Sequence, residues 1–349
     1  MFHRILVPLD GSERAERALP VAVRLARASH GTLIVVQVLD IDTTLYIAPE
    51  MMISESVVHV ESSRAGQYLI QATAALKQEG IPIEQCVLLG IPASMLLSAI
   101  TSYNADLVVM CSHGRTGFLH WALGSVAEKM ARISPVPVLI LREHGSILAG
   151  PHPDPTRPLR ALVPLDGSTA SKAAMAPAAA LIAALAAPAS GALHLTRVVQ
   201  PATSERMMLP YQRNMDDMVQ KTKHSLQKTA ENVRDGFEAP SVTPLGLRFT
   251  CSVALDTDVA HALIRVAENG EDAEGAGIFG GCDVIAMATH GRTGIDRLAL
   301  GSVTERVLHA TRLPLLVVPI SRKTLQNSAD EQQYSYEHSG HLPCYELSK

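Results

Sequence analysis

Fourteen residues occur twice in this chain with little change. They read SHGRTGFLHWALGS from Ser112 to Ser125 and THGRTGIDRLALGS from Thr289 to Ser302. Each copy follows an apolar run, LVVM or VIAM, and opens a Ser-x-x-Glu segment, Ser125 with Glu128 and Ser302 with Glu305. The order predicts strand, glycine loop, second glycine turn and helix N-terminus. Unpaired N–H groups and a positive dipole end make such a terminus favourable to anions. Two phosphate-binding loops are therefore expected. A second motif agrees: RILVPLDGS, Arg4 to Ser12, returns as RALVPLDGS, Arg160 to Ser168. The spacing is 156 residues from Asp10 to Asp166, and the pair Met51-Met52 recurs at Met207-Met208 with the same spacing. From Gly114 to Gly291 it is 177, so the second half gains 21 residues after its Met pair. A whole domain is duplicated, rather than a short repeat unit.

Within each half, apolar runs alternate with helix-length segments. In the first half the runs fall at 5–9, 33–39, 86–89, 107–111 and 136–141, with helices over about 13–28, 54–78, 93–103 and 125–133. In the second they fall at 161–165, 193–199, 247–255, 283–288 and 315–318. Strand–helix alternation with continuously apolar strands predicts an α/β fold, two doubly wound five-stranded parallel sheets covered on both faces. The boundaries read as a first domain over 1–142, a Pro/Gly-rich linker over 143–158, a second domain over 159–320, and a polar tail over 321–349 expected to be disordered. An acidic, glycine-rich insertion, Glu268 to Gly281, is expected as a surface loop.

Composition narrows the function. At 349 residues and 47% hydrophobic, the chain can fill two cores. A net charge of −4 without a basic tract argues against nucleic acid as partner. Five scattered cysteines without C-x-x-C fit a reduced, cytoplasmic protein. The N-terminus enters a strand pattern at once, which is not how a signal peptide reads. The uncharged run from Ala173 toward Thr196 is alanine-rich and broken by Pro177, Pro188 and Gly191, so it is expected as a buried helix and strand rather than a membrane span.

Several catalytic patterns fail. GxGxxG occurs at Gly275, Gly277 and Gly280, but before a strand and among acidic residues, where a dinucleotide loop does not belong. Walker A and G-x-S-x-G sequences are absent. His113 and His290 have no second ligand at metal-like spacing and are expected to pin their loops by hydrogen bonds. The repeated loop is better equipped: Gly114 and Gly117 permit positive φ, Arg115 and Arg292 add fixed charge, and the Gly124-Ser125 and Gly301-Ser302 amides can face a phosphate. A capping box at Ser125 and Glu128 is the structural alternative. Ligands in doubly wound sheets bind at the C-terminal strand ends where strand order reverses, so the loops after the first and fourth strands should flank one crevice. Asp10 and Asp166 could contact ribose, base or a phosphate-bound cation there, or only shape an Asx-turn. The Met pairs could cover a base or pack in the core.

These residues resemble the universal stress protein family in its tandem form, over roughly 1–142 and 158–320. The resemblance rests on VPLDGS near each start and on SHGRTG or THGRTG followed by LGS and a helix. It implies a nucleotide hydrolase-like sheet of order 3-2-1-4-5 and ATP binding through G-x2-G-x9-G-(S/T), with Mg2+ as an optional companion. Gly114 with Gly124-Ser125 and Gly291 with Gly301-Ser302 match the end of that motif, while Cys111 and Ala288 replace its first glycine. Carried over, the first site comprises Pro8, Leu9, Asp10, Val38, Met110, Cys111, His113, Gly114, Arg115, Gly124, Ser125 and Val126. The second comprises Pro164, Leu165, Asp166, Val198, Met287, Ala288, His290, Gly291, Arg292, Gly301, Ser302 and Val303. The resemblance also implies pairing of the last strands, VPVLIL with LPLLVV, inside one chain, with a homodimer as a further option. The expected function is ATP-binding regulation in a stress response; a slow ATP hydrolase or phosphoryl-transfer enzyme, and a nucleotide-free scaffold, are the alternatives.

Overall fold

The structure is a computed structural model that describes residues 1–40, 55–77, 79–113, 123–142, 148, 150, 157–201, 209–270, 280–290 and 300–320. The first half runs β1 (Arg4–Leu9), α1 (Glu13–Glu16), α2 (Ala18–Ser29), β2 (Thr32–Leu39), α3 (Glu55–Lys77), β3 (Ile83–Leu89), α4 (Pro92–Ser102), β4 (Leu107–Cys111), α5 (Ser125–Ile133) and β5 (Val138–Leu141). The second runs β6 (Arg160–Pro164), α6 (Thr169–Lys172), α7 (Met175–Ala186), β7 (Ala192–Val199), α8 (Leu209–Arg234), β8 (Arg248–Leu255), α9 (Val259–Asn269), β9 (Val284–Ala288), α10 (Ser302–Ala310) and β10 (Leu315–Val318).

The order 3-2-1-4-5 is present in both halves, but the halves do not form separate sheets. Ten strands make one sheet, β3-β2-β1-β4-β5-β10-β9-β6-β7-β8. Every pairing is parallel except the joint, where β5 and β10 run antiparallel with Leu316 opposite Leu139. All eight residues of these two strands are buried. One hydrophobic cluster per face therefore spans both halves, with Leu139, Leu141, Leu316 and Val318 on one side and Val138, Ile140, Leu315 and Val317 on the other.

Local chemistry explains the elements. Ser12 caps α1 by accepting from Ala15 N at 3.2 Å, and Ser168 caps α6 in the same way from Ser171 N at 3.2 Å. The helix expected over 13–28 is interrupted at Arg17, so α1 and α2 are separate. Helix α2 buries Ala18, Leu19, Ala22, Val23 and Ala26, the i, i+3, i+4 stripe of a helix on a sheet. Each half is tied at its base by an aspartate: Asp106 accepts from His3 N and Arg4 N at 2.8 and 3.0 Å, and Asp283 accepts from Arg160 N at 2.7 Å. Among the described residues one helical run, Thr169–Ala186, has the length and hydropathy of a membrane span. Most of that window is buried, as in a core helix, and it ends before the strand β7. Among the described residues, three arginines bridge the halves or tie them to the linker. Arg24 reaches the carbonyls of Leu148, Gly150 and Leu185. Arg142 donates to the Leu308 carbonyl in the last turn of α10, where a cation suits the helix dipole. Arg132 joins Glu128 and Glu305 at 3.0 and 2.5 Å.

The halves differ beneath the second crevice. Ile34 and Val36 of the first half are matched by His194 and Thr196, paired in register with Thr250 and Ser252. His194 is fully buried, with Nδ1 2.8 Å from Thr250 Oγ1 and Nε2 2.7 Å from Ser252 Oγ. Burial, and then the Arg160 charge, lower its pKa to about 3. The folded state thus holds His194 neutral while the unfolded chain protonates it near pH 6.5, so its contribution is complete above that pH and is lost as pH falls toward 3. Between pH 7 and pH 5 the chain should lose on the order of 2 kcal/mol of unfolding free energy from this residue. Urea titrations at both pH values should show that increment in the parent chain and not in His194→Gln; equal pH slopes would refute the assignment.

Candidate functional site

The crevice forms where strand order reverses. In the second half, β6 turns toward β7 while its other neighbour is β9, so the ends of β6 and β9 diverge above the sheet. Between them lies a cavity of about 580 Å³. Its wall contains Pro164, Leu165, Asp166, Val198, Met287, Ala288, His290, Gly301 and Val303, so nine residues expected at a nucleotide site share one space. Ser302 begins α10 at its rim. Gly291 and Arg292 lie outside the described residues, as do Gly114, Arg115 and both Met pairs.

The corresponding first-half residues occupy equivalent places. Pro8 and Leu9 end β1, Asp10 follows, Val38 lies near the end of β2, and Met110 and Cys111 end β4 before His113. Gly124, Ser125 and Val126 start α5. The Cys111 thiol is directed at the Ala15 carbonyl, 3.9 Å away, and packs with the α2 face, whereas Met110 belongs to the opposite cluster.

Asp10 and Asp166 first of all shape their turns. Asp10 Oδ1 accepts from Ser12 N at 3.0 Å and Ser12 Oγ at 2.6 Å, and Asp166 Oδ1 from Ser168 N at 2.9 Å and Ser168 Oγ at 2.6 Å. These are Asx-turns, and the glycine inside each has positive φ, +85° at Gly11 and +89° at Gly167.

The start of α10 differs from a capping box. Gly301 occupies the N-cap, Ser302 is the first helical residue, and no side chain caps the terminus. Gly124 and α5 repeat the arrangement. A serine one position into the helix cannot reach the N3 amide as a cap does, and Glu128 and Glu305 turn instead to Arg132. The carboxylates of Glu128 and Glu305 also approach His309, with ligand atoms within 4.8 Å, but the Arg132 guanidinium among them accounts for the cluster as an ion-pair network. The glycines are required by space rather than by φ, which is −66° at Gly124 and −58° at Gly301. A Cβ on Gly301 would stand 3.0 Å from the Thr289 carbonyl oxygen, and one on Gly124 2.9 Å from that of Ser112. Each glycine N–H donates to that same carbonyl, at 2.7 and 2.8 Å.

His290 sits beside this terminus. Its Nδ1 is 3.1 Å from Thr289 Oγ1, while its buried Nε2 has no hydrogen-bond partner among the described residues. The Nδ1 contact is to the neighbouring residue, and the loop that His290 is expected to pin lies outside the described residues; Nε2 is a second, uncommitted group at the cavity wall. Thr304, not anticipated from the sequence, hydrogen-bonds the Ala288 carbonyl at 3.0 Å and fixes α10 to β9. Val259, Leu263, Met218 and Arg197 also line the cavity unanticipated. The Val259–Leu263 spacing, one helical turn at the start of α9, is the signal that could have exposed that pair.

Comparison with known proteins bears on the family and the fold. A model of the universal stress protein family matches residues 1–142 and again 159–319. A universal stress protein of Bacillus subtilis is 30% identical over 150 residues, 41% of this chain and all of that protein. One of Mycobacterium tuberculosis is 24% identical over 321 residues, 90% of this chain and 96% of that protein. The crystal structure of a universal stress protein from Archaeoglobus fulgidus superposes with a TM-score of 0.60 at 19% identity, covering 91% of this chain and 99% of the other.

Because Gly124 and Gly301 are held by sterics, Gly124→Ala and Gly301→Ala should each cost about 1–3 kcal/mol in ligand-free urea unfolding. Ser302→Ala, which removes no cap, should stay within about 0.5 kcal/mol of the parent; a larger loss would mean that the serine does cap the helix.

Proposed function

The chain belongs to the universal stress protein family, and from that premise we propose that it is a regulatory protein that binds ATP, with one site in each half. The observation that carries this reading is His290 Nε2, buried and without a partner among the described residues, beside a helix start that no side chain caps. Burying a polar nitrogen unpaired is costly, and a ligand acceptor would relieve it. A phosphate supplies such an acceptor, and helix amides favour its charge.

The cavity suits the rest of the nucleotide. Its volume is that of a small-molecule site, and Val198, Val259, Leu263 and Met287 offer an apolar surface to adenine. Ser302 and Val303 would hold phosphate through their amides just past Gly301, whose own N–H is taken by the Thr289 carbonyl, with Gly291 and Arg292 completing the loop; in the first half Ser125 and Val126 after Gly124, with Gly114 and Arg115, would do the same. The substitution of Cys111 for the first motif glycine is compatible with this, since its thiol turns toward Ala15. Mg2+, when present, would enter with the phosphates, and Asp166 is the carboxylate of the wall.

The sequence motifs contain no evident general base for attacking water, so turnover should be slow or absent. Binding would then act by mass action, stabilising the fold by about 2.7 kcal/mol at a hundred times Kd. Such a protein suits a cytoplasmic stress response in which nucleotide level sets stability or partner choice. A homodimer would have to use a surface other than the last strands, which already pair with each other.

Mass spectrometry of small molecules released from the purified protein should find adenine nucleotide, and ATP should raise the melting temperature. His290→Ala should weaken ATP binding at the second site about tenfold. Turnover above about one per second, lost on Asp10→Ala, would favour the enzyme reading. No ATP-dependent rise in melting temperature would favour the scaffold.

A further inference from the structure

The duplication lets the same place in each crevice be read twice. In doubly wound dinucleotide folds, a residue near the end of the second strand reads the ribose. An acidic side chain there accepts from the 2′-hydroxyl, and an arginine nearby accommodates a 2′-phosphate. The second strands here are β2 and β7, each parallel to the first strand of its half. Gln37 of β2 stands opposite Leu9 in register. Its counterpart in β7 is Arg197, one place past the Pro164–Thr196 pair and so alongside Leu165.

Arg197 belongs to the second cavity, where it lines the same space as Asp166, Val198, His290 and Gly301. Its Nε donates to the Leu165 carbonyl at 3.1 Å, and its guanidinium lies against Gly167, where a Cβ would meet Nη2 at 1.8 Å. These two contacts flank Asp166, whose Oδ1 accepts from Ser168 N and Oγ at 2.9 and 2.6 Å. Strand order puts this wall on the β6 side of the crevice and the start of α10 on the β9 side. The cavity thus has an anion-favouring group on each side, a guanidinium on one and an uncapped helix terminus on the other. Asp166 and Arg197 together are neutral, whereas Asp10 and Gln37 together carry one negative charge.

We infer that the second crevice takes an adenine nucleotide with a phosphate on its ribose, that Arg197 receives this phosphate, and that the first crevice takes the nucleotide without it. The inference rests on the nucleotide reading given above. With adenine on Val198 and the 5′-phosphates at the start of α10, the ribose lies between them, beside the Asp166 turn that Arg197 flanks. A planar guanidinium anchored through Nε is a fixed fork, the geometry in which arginine binds phosphate oxygens in pairs. The Asp10 carboxylate and Gln37 amide instead suit ribose hydroxyls, and the carboxylate repels a further phosphate. The two halves of one chain then respond to two different nucleotides.

The test is calorimetric titration of nucleotide-stripped full chain carrying Ser125→Asp, whose new carboxylate closes the first crevice to phosphate. The ligands are ADP and ADP phosphorylated at the ribose 2′ or 3′ oxygen. One of the two ribose phosphates should bind about tenfold more tightly than ADP, as a charge-assisted arginine–phosphate pair allows. Arg197→Gln, which copies the first half, should erase that preference and leave ADP binding as it was. With Ser302→Asp in place of Ser125→Asp, the first crevice should prefer ADP to either ribose phosphate. If ADP binds and neither ribose phosphate binds more tightly, the inference is overturned and the nucleotide reading stands. The same holds if the preference survives Arg197→Gln or if the first crevice shares it. No binding of ADP, ATP or either ribose phosphate overturns both. Should Ser125→Asp not fold, the parent chain is titrated beside Arg197→Gln, and the tight class of ribose-phosphate sites must vanish with the arginine.

Discussion

The antiparallel contact between β5 and β10 governs the rest of the molecule. Within each half every strand is parallel to its neighbours, so reversing direction once, at the joint, points all C-terminal strand ends of one half opposite to those of the other. The two crevices consequently open at opposite ends of one continuous sheet. The joint also merges the cores. Leu139 and Leu316 belong to the same cluster as residues of α2 and α7, and α2 packs on α7 across the boundary. Cooperative unfolding of such a body would couple the crevices thermodynamically: a ligand in either one holds both together without any conformational signal between them.

Much of this was legible in the residues. The continuously apolar runs marked nearly every strand to within a few residues, because a strand covered on both faces has no polar alternation to hide it. The pairing of VPLDGS with the glycine loop located the crevice, since the two motifs end adjacent strands. The joining of two expected sheets into one was visible only through family resemblance, because an apolar edge strand does not specify its partner. Side-chain alternatives stayed open where the decisive contact is remote in sequence. Ser-x-x-Glu reads as a capping box, yet Glu305 is drawn off by Arg132, which is 173 positions away. Nor does the sequence show why a glycine precedes each helix: the Ser112 and Thr289 carbonyls, just past the preceding strands, leave no room for a Cβ.

The two halves also show how one backbone tolerates different chemistry. Val36 and Thr196 occupy equivalent strand positions, but the hydroxyl is satisfied only because Ser252 stands 3.0 Å away and is itself paired with His194. Polar groups entered that core as a connected set, the condition under which buried polarity is tolerable.

Two separate five-stranded sheets would have four edges; the ten-stranded sheet has two. The edges removed are the short, wholly apolar strands Val138–Leu141 and Leu315–Val318, the kind of exposed rim to which other chains adhere. The edges that remain, β3 and β8, carry Glu84, Gln85, Arg248 and Thr250 and are only partly buried. Covalent duplication therefore keeps the two stickiest rims permanently satisfied at any protein concentration. A chain built from one half would have to find a second copy before those rims were covered, whereas this one carries the cover with it.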